Sequence, residues 1–480
     1  MQEILNKREE RCKHFDLGNG QMQFVGYTAP IHYKNALTLN KWEDIVLDFK
    51  DDGKGNYITD KNKVSCGFRK DKKLEKYFGL RYDADHQFEV TINKILLDGA
   101  EQIAGSDFNV AAIKETKNIV SNELNANVRV INRLNEVSLK NYFCIHNPVE
   151  DFEIVEELHL KGLTCSNKKD GDNYIPDERG RFNFVDEKGE WKFGIRTPFF
   201  IDDARQIHFT VQHELKEISG RLFYTKTPTL EGKDDFILKN VKFPIEVDAD
   251  TIYGETTDGR VSREYEATWD SAHDTADGEA SATNQEAISP NTFNNWSGKA
   301  DVIYLERCFL YFDTSGIGAG ATVTAAVLSL FGKTTGSTDT GISVQLGTQG
   351  ATLGTTDYNN FSGTYFALIT AGNFSHSAYN EFTLNAAGRS AIVVDGETKY
   401  CVREYDHDYL DSDPGSGVSW NYGEIFFAAD EIEEAEQRPR LVVTYTSGPA
   451  VKSINGVAYA SVKSVNGVIN ASIKSINGIT

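Results

Sequence analysis

The run Arg307–Leu330, RCFLYFDTSGIGAGATVTAAVLSL, constrains the fold more than any other part of the chain. Cys308, Leu310 and Phe312 alternate with Arg307, Phe309 and Tyr311, the period of two that a β-strand imposes on its faces. Asp313, Thr314, Ser315 and Gly316 then supply turn chemistry, Ile317 packs the loop, and Gly318-Ala319-Gly320 lets the chain reverse. Thr322–Leu330 is β-branched and apolar, with Val323, Val327 and Leu330 placed for a core. The stretch reads as two strands of one sandwich.

A chain of 480 residues is too long for a single core, so two or three domains are expected. Abundant Phe, Tyr and Gly with only two Met favour strands joined by many turns. The net charge of −21 argues against nucleic acid as a partner, because phosphate binding needs clustered Lys and Arg. That acidity reads as solubility, with cation binding or spacing between identical copies as the functional alternatives. Cys12, Cys66, Cys144, Cys165, Cys308 and Cys401 include no Cys-x-x-Cys pair and read as free thiols of a reducing compartment. The start, MQEILNKREERCKHF, has no apolar run of a secretory signal. No stretch approaches the roughly 18 apolar residues of a membrane helix. The chain is thus expected to be made in the cytoplasm without a signal peptide and to have no membrane span.

The expected fold class is all-β: an N-terminal antiparallel β domain, a second jelly-roll-like β-sandwich, and C-terminal β-hairpin repeats. Residues 1–12 read as an arm, 13–250 as the first domain, 251–267 as a polar connector and 268–446 as the sandwich. Within the first domain, HFDLGNGQMQF reads as a hairpin turning at Asn19-Gly20, and the polar stretch 51–76 as an excursion that loses the alternation. After a linker at 447–450, a repeat of period eleven fills 451–480: VKSINGVAYAS, VKSVNGVINAS, IKSINGIT. Asn455-Gly456, Asn466-Gly467 and Asn477-Gly478 suit type I′ turns, with Ile454, Val465 and Ile476 as the apolar residues beside them. Such hairpins are marginal alone, so they are expected to hold identical tails of neighbouring copies together, as a homotrimer, or to dock on another protein.

Three sets of motifs carry resemblances. Arg307-Cys308-Phe309-Leu310-Tyr311-Phe312-Asp313 and the closing Arg438-Pro439-Arg440-Leu441-Val442-Val443-Thr444-Tyr445 resemble the DNRLRE-type sandwich, a jelly roll similar to carbohydrate-binding modules, over 268–446. Phe15–Gly20, Pro30–Lys34, Trp42–Ile45, Leu134–Tyr142, Pro198–Asp203 and Phe243–Asp248 follow, in order, a pattern similar to RHS and wall-associated shell proteins and to phage virion proteins. The Lys-Ser-Ile-Asn-Gly-Val tail resembles the ends of phage virion proteins. These resemblances imply a non-enzymatic structural or attachment protein of a phage-like virion: a fibre, spike or head decoration. Its partners would be its own copies, other virion proteins and host-surface glycans. The alternative is a polysaccharide-degrading or glycan-binding surface protein of the RHS-like kind.

No catalytic residues emerge from the sequence. The ten histidines form neither His-x-x-x-His nor His-Glu-x-x-His, and there is no Gly-x-Ser-x-Gly elbow or Walker loop. Glycan contact would use exposed aromatics, for which Trp269, Trp296, Trp420 and Tyr422 are the candidates, with Tyr358 and Tyr365 also available, against a default of core or loop packing for each. No cofactor is expected. The metal its loops suit is Ca2+, at Asp406, Asp408, Asp411 and Asp413, against a default of a solvated loop; Asp270, Asp274 and Asp277 are a second possibility.

Overall fold

Strand Ile303–Asp313 is buried along its length up to Asp313, and on both faces. Cys308, Leu310 and Phe312 join one core with Leu328 and Leu330, while Phe309 and Tyr311 join another with Val261, Trp269 and Tyr358. The alternation expected from the sequence is present, and each of its faces has a cover. These features come from a computed structural model. It describes residues 1–35, 41–70, 78–104, 112–177, 180–201, 207–208, 211–229, 241–252, 258–266, 268–282, 287–294, 303–335, 340–415, 421–428 and 437–447, with the tail pairs 453–454, 457–458, 464–465 and 468–469.

The turn after this strand forms as its residues dictate. Asp313 Oδ1 accepts the Ser315 N–H at 3.0 Å, and Gly318 and Gly320 take φ values of 93° and 82°. Strand Thr322–Thr335 departs from expectation in phase. A β-bulge between Val323 and Ala325 shifts its register against Arg440–Thr446. Val323 therefore packs on the core, Val327 turns half away, and Ala326, Leu328 and Leu330 point inward. Without the bulge, Val323 and Leu330 would face opposite ways, being an odd number of residues apart.

The fold is all-β and antiparallel, in two units. One unit combines Met1–Ile31 with Thr256–Thr480, and the other is His32–Glu255. This corrects the boundaries read from the sequence. Strand Gln21–Tyr27 pairs with Arg440–Thr446 in unbroken register from Gln21↔Thr446 to Tyr27↔Arg440, so the first hairpin belongs to the sandwich. The arm is also structured, because Gln2–Glu3 pairs with Cys12–Gly18. The physical reason is burial: Phe24 and Cys12 enter the same core as Leu441, Val443 and Tyr445. Nor is 251–267 a connector: Ile245–Ile252 pairs with Ser138–Ile145, and Gly259–Glu266 pairs with Ile303–Asp313.

In the sandwich unit the strand path runs from Cys12–Gly18 through Gln21–Tyr27, Arg440–Thr446 and Thr322–Thr335 to Asn421–Phe427. It continues through Asn291–Asn294, Ile303–Asp313, Glu397–Glu404 and Ile342–Gly347 to Phe361–Ile369. Residues from the two halves of this path meet in one core, Leu328 and Leu441 from one, Leu310 and Val344 from the other.

The His32–Glu255 unit has two large antiparallel sheets sharing one core, with Phe88, Ile154 and Leu215 from one sheet and Phe143, Phe184 and Val247 from the other, besides the small pair His32–Asn35 with Lys41–Asp44. The stretch read as a polar excursion contains strands Asn56–Thr59 and Ser65–Arg69, where Cys66 and Phe68 are buried; its last part lies outside the described residues. In the tail, Ser453–Ile454 pairs with Val457–Ala458 and Ser464–Val465 with Val468–Ile469. These are two-residue hairpins, as the repeat implied. Of the proposed contact residues, Ile454 and Val465 lie in them; Asn455, Gly456, Asn466, Gly467, Ile476, Asn477 and Gly478 lie outside the described residues. Among the described residues no helix is long and apolar enough to cross a membrane.

Candidate functional site

Strand Glu397–Glu404 runs into a single π-helical turn, Tyr405–Tyr409, and this turn organises the site. The turn forms because Glu404 caps it. The fully buried Glu404 carboxylate accepts the N–H groups of Asp406, His407 and Asp408 at 2.7, 2.9 and 2.9 Å. It also accepts the hydroxyls of Thr292 and Thr340. Burial raises the Glu404 carboxyl pKa above its ordinary value, against these hydrogen bonds, which lower it.

Beneath the turn lies an Arg–Asp–Arg group. Asp408 Oδ1 accepts from Arg307 Nη2 and Arg403 Nη2, both at 2.7 Å, and Oδ2 accepts from Arg403 Nε at 2.9 Å. Asp408 and Arg307 are wholly buried. Burial alone would push the Asp408 carboxyl pKa up; the two guanidiniums overcome it and hold it well below the usual carboxylate range. Each guanidinium also lies 4.2 Å from an aromatic ring centre, Arg307 over Tyr358 and Arg403 over Phe361. Arg307 Nη1 donates to Asn359 Oδ1 at 2.7 Å and Arg403 Nη1 to Gln345 Oε1 at 3.0 Å.

On this base stand three half-buried tyrosines. The rings of Tyr405 and Tyr409 stack at 5.3 Å and 16°. Tyr365 meets both edge-on, at 5.9 and 5.4 Å. Leu410, next after Tyr409 in the chain, is 51% exposed. The backbone bends at Gly363, whose φ is 75° and whose Cβ position has no atom within 4 Å. Sequence reasoning singled out Tyr365 but missed Tyr405 and Tyr409. The signal was there: Tyr-x-x-x-Tyr puts two rings on one side of a helical turn. The aspartates interleaved with them drew the reading toward metal.

The other candidates are placed differently. Trp269 is a packing residue, 6% exposed, whose Nε1–H donates to Asp411 Oδ1 at 2.8 Å. Tyr358 is buried and its hydroxyl donates to the Ala272 carbonyl. Tyr422 is half-buried, with its ring 4.3 Å from that of His407. Trp296 and Trp420 lie outside the described residues. The expected calcium set of Asp406, Asp408, Asp411 and Asp413 is not one ligand shell. Asp406 accepts the Gly341 N–H, Asp408 is taken by two arginines, Asp411 faces Trp269, and Asp413 accepts the Gly415 N–H. A carboxylate already neutralised by two guanidiniums has little left to offer a cation.

The His32–Glu255 unit holds a trough of about 390 Å³ along strands Ser65–Arg69 and Phe78–Arg81, where Gly67 and Gly79 are cross-strand partners. Its lining includes Cys66, but burial pushes that thiol well above its ordinary pKa, so it is no nucleophile. All six cysteines are free thiols.

No family model matches the chain, and no curated protein matches it. Among solved structures, a mutant of the heparan sulfate lyase HepC from Pedobacter heparinus is similar over 48% of this chain and 41% of its own, at 13% identity and a TM-score of 0.27. The exo-β-1,3-galactanase of Phanerochaete chrysosporium aligns over 85% of this chain and 97% of its own, at 9% identity and a TM-score of 0.14. The chain thus spans about two fifths of the lyase's length. At these TM-scores the alignments carry no argument about function.

Proposed function

We propose that this chain is a non-enzymatic structural and attachment protein of a phage-like virion, whose sandwich unit contacts glycans through Tyr365, Tyr405 and Tyr409. The observation that carries the glycan reading is the cluster of three half-buried tyrosines on a rigid base. Sugar rings offer apolar C–H faces bordered by hydroxyls. A tyrosine offers a flat apolar ring with a hydroxyl at its edge, and it loses little rotamer entropy on binding. The ring positions are fixed in advance by the capped turn and the arginine pair beneath, so little ordering cost remains. Catalysis at this turn lacks a proton donor or acceptor in Asp408, which stays ionised between two guanidiniums.

The virion reading is supported by the tail. Its hairpins have only small apolar side chains and need a partner surface, which identical tails in a trimer would supply. A protein of this kind is made in the host cytoplasm and carried in the particle. The test of glycan contact is a glycan array followed by calorimetry on the best neutral and acidic oligosaccharides. Wild type should bind, and Tyr405→Ala combined with Tyr409→Ala should weaken binding at least tenfold with unchanged circular dichroism. Unchanged affinity in that variant would remove the tyrosines from the site, and release of new reducing ends by wild type would replace the binding reading with a degrading enzyme.

A further inference from the structure

The trough of the His32–Glu255 unit, about 390 Å³, is of the size that holds a small molecule. Its floor is the cross-strand pair Gly67 and Gly79, with Ile58 paired to the first and Glu89 to the second. Arg69 and Arg81 each stand two residues past a glycine. The two strands are antiparallel, so the arginines flank the pair from opposite sides, each about 7 Å along its strand. Cys66, Phe68, Phe78 and Leu80 point the other way and fill the core. The open face of these two strands is therefore Ser65, Gly67, Arg69, Gly79 and Arg81.

The fold does not account for the two glycines. Glycine weakens the interior of a strand, and it is required where φ is positive or where a side chain would collide. Neither holds here. Both lack a positive φ, and an added Cβ would meet nothing closer than 3.5 Å at Gly67 and 3.4 Å at Gly79, ordinary contact distances. In strand Gln21–Tyr27, by contrast, the Phe24 ring lies 2.5 Å from the Cβ position of Gly26. What Gly67 and Gly79 give is bare backbone inside a cavity, which a ligand can approach closely.

We infer that the trough binds one ring of an uncharged oligosaccharide, laid flat on the glycine pair. The charged lining has both signs. Arg69 and Arg81 only donate hydrogen bonds, and neither forms an ion pair among the described residues; Asp60 and Glu89 only accept. Asp52, the remaining charged group, is engaged by its own loop, accepting from the N–H groups of Lys54 and Asn56 at 2.7 and 3.0 Å and from Asn56 Nδ2 at 2.7 Å. An anion in the trough would meet Asp60 and Glu89, and a cation would meet the two arginines. A sugar hydroxyl donates and accepts at once, so a ring bearing several of them uses both kinds of group. This site goes beyond the tyrosine cluster: the two lie in different units, and each can fail alone.

The experiment is calorimetry on the full chain carrying Tyr405→Ala and Tyr409→Ala, titrated with cellotetraose, maltotetraose, chitotetraose and tetragalacturonate. At least one neutral tetrasaccharide should bind with one equivalent, and tetragalacturonate at least tenfold more weakly. Adding Gly67→Val and Gly79→Val should weaken that binding at least tenfold. The melting temperature should hold or rise, because valine favours strands and both positions have room. Adding Arg69→Gln or Arg81→Gln, at exposed positions, should weaken binding at least threefold and keeps the test valid should the valine pair fail to fold. No binding of any neutral tetrasaccharide, when wild type binds one, overturns the trough and leaves the tyrosine site standing. Binding unchanged by the valine pair, or by both arginine changes, also overturns the trough. So does tighter binding of tetragalacturonate, which would make the ligand an acidic sugar.

Discussion

Replacing Asp408 by Asn tests whether the Arg307–Asp408–Arg403 group holds the candidate site together. The substitution keeps the shape and removes the one charge between two guanidiniums, of which Arg307 is wholly buried and Arg403 is 5% exposed. Removing one partner of a buried ion pair costs about 3–5 kcal/mol, most of it the uncompensated charge left behind. Here two cations are stranded, so the upper part of that range applies; the stacking on Tyr358 and Phe361 remains and offsets a little. For a unit of this size each kcal/mol lowers the melting temperature by about 2–4 °C, so the shift is about 8–16 °C. Calorimetry on the full chain reads it, and the transition of the His32–Glu255 unit should stay where it is. The pH dependence adds a sign. Asp408 has its folded pKa depressed, so its contribution is complete above the ordinary aspartate value near 3.9 and is lost as pH falls toward the folded value. The gap between wild type and Asp408→Asn should therefore be constant at neutral pH and close in acid. A loss under about 1 kcal/mol at pH 7 would refute the reasoning, because it would place the buried charges in contact with water.

Two further outcomes follow from other parts of the fold. By light scattering the full chain should be a trimer and a chain ending at Ser447 a monomer; equal masses would show that the repeat hairpins do not assemble the protein. His14 is buried and hydrogen-bonded to the Tyr445 hydroxyl at 2.9 Å; burial, helped by the charge of Lys7, lowers its pKa from 6.5 to about 4. The unfolded chain thus takes up a proton first, and stability should fall by about 3 kcal/mol between pH 6.5 and 4, a slope that His14→Gln should remove in urea titrations.

The strands were legible where one side chain decided the face. Cys308, Leu310 and Phe312 alternate with Phe309 and Tyr311, and both sets are buried. The Asn-Gly pairs fixed hairpins at Asn19-Gly20 and in the tail, since few other residues accept positive φ twice in succession. What failed was assignment across distance. Nothing local in Gln21–Tyr27 says that its partner is Arg440–Thr446, because the pairing is set by which core Phe24 enters. The bulge at Val323–Ala325 was equally silent: Thr, Ala and Val suit a strand in either phase.

The site failed to show in the sequence for a related reason. Acidic residues between 406 and 413 suggest a shared cation, yet a stretch this short cannot reveal where arginines from other strands will point. Arg307, with five strands between its own and the turn, reaches Asp408 and removes it from any ligand set. That single ion pair changes the meaning of its neighbours. With Asp408 drawn inward and Glu404 buried as a cap, Tyr405 between them and Tyr409 just after them stack half-buried on one side of the turn. Asp411, just beyond, swings to Trp269 and His273. The same eight residues that read as one calcium loop thus divide into three roles: an ionic foundation, an aromatic surface, and one arm of a histidine-centred cluster. The division follows from burial, since the carboxylates that go inside must find cations and hydrogen-bond donors, and the rings between them are left with the outside.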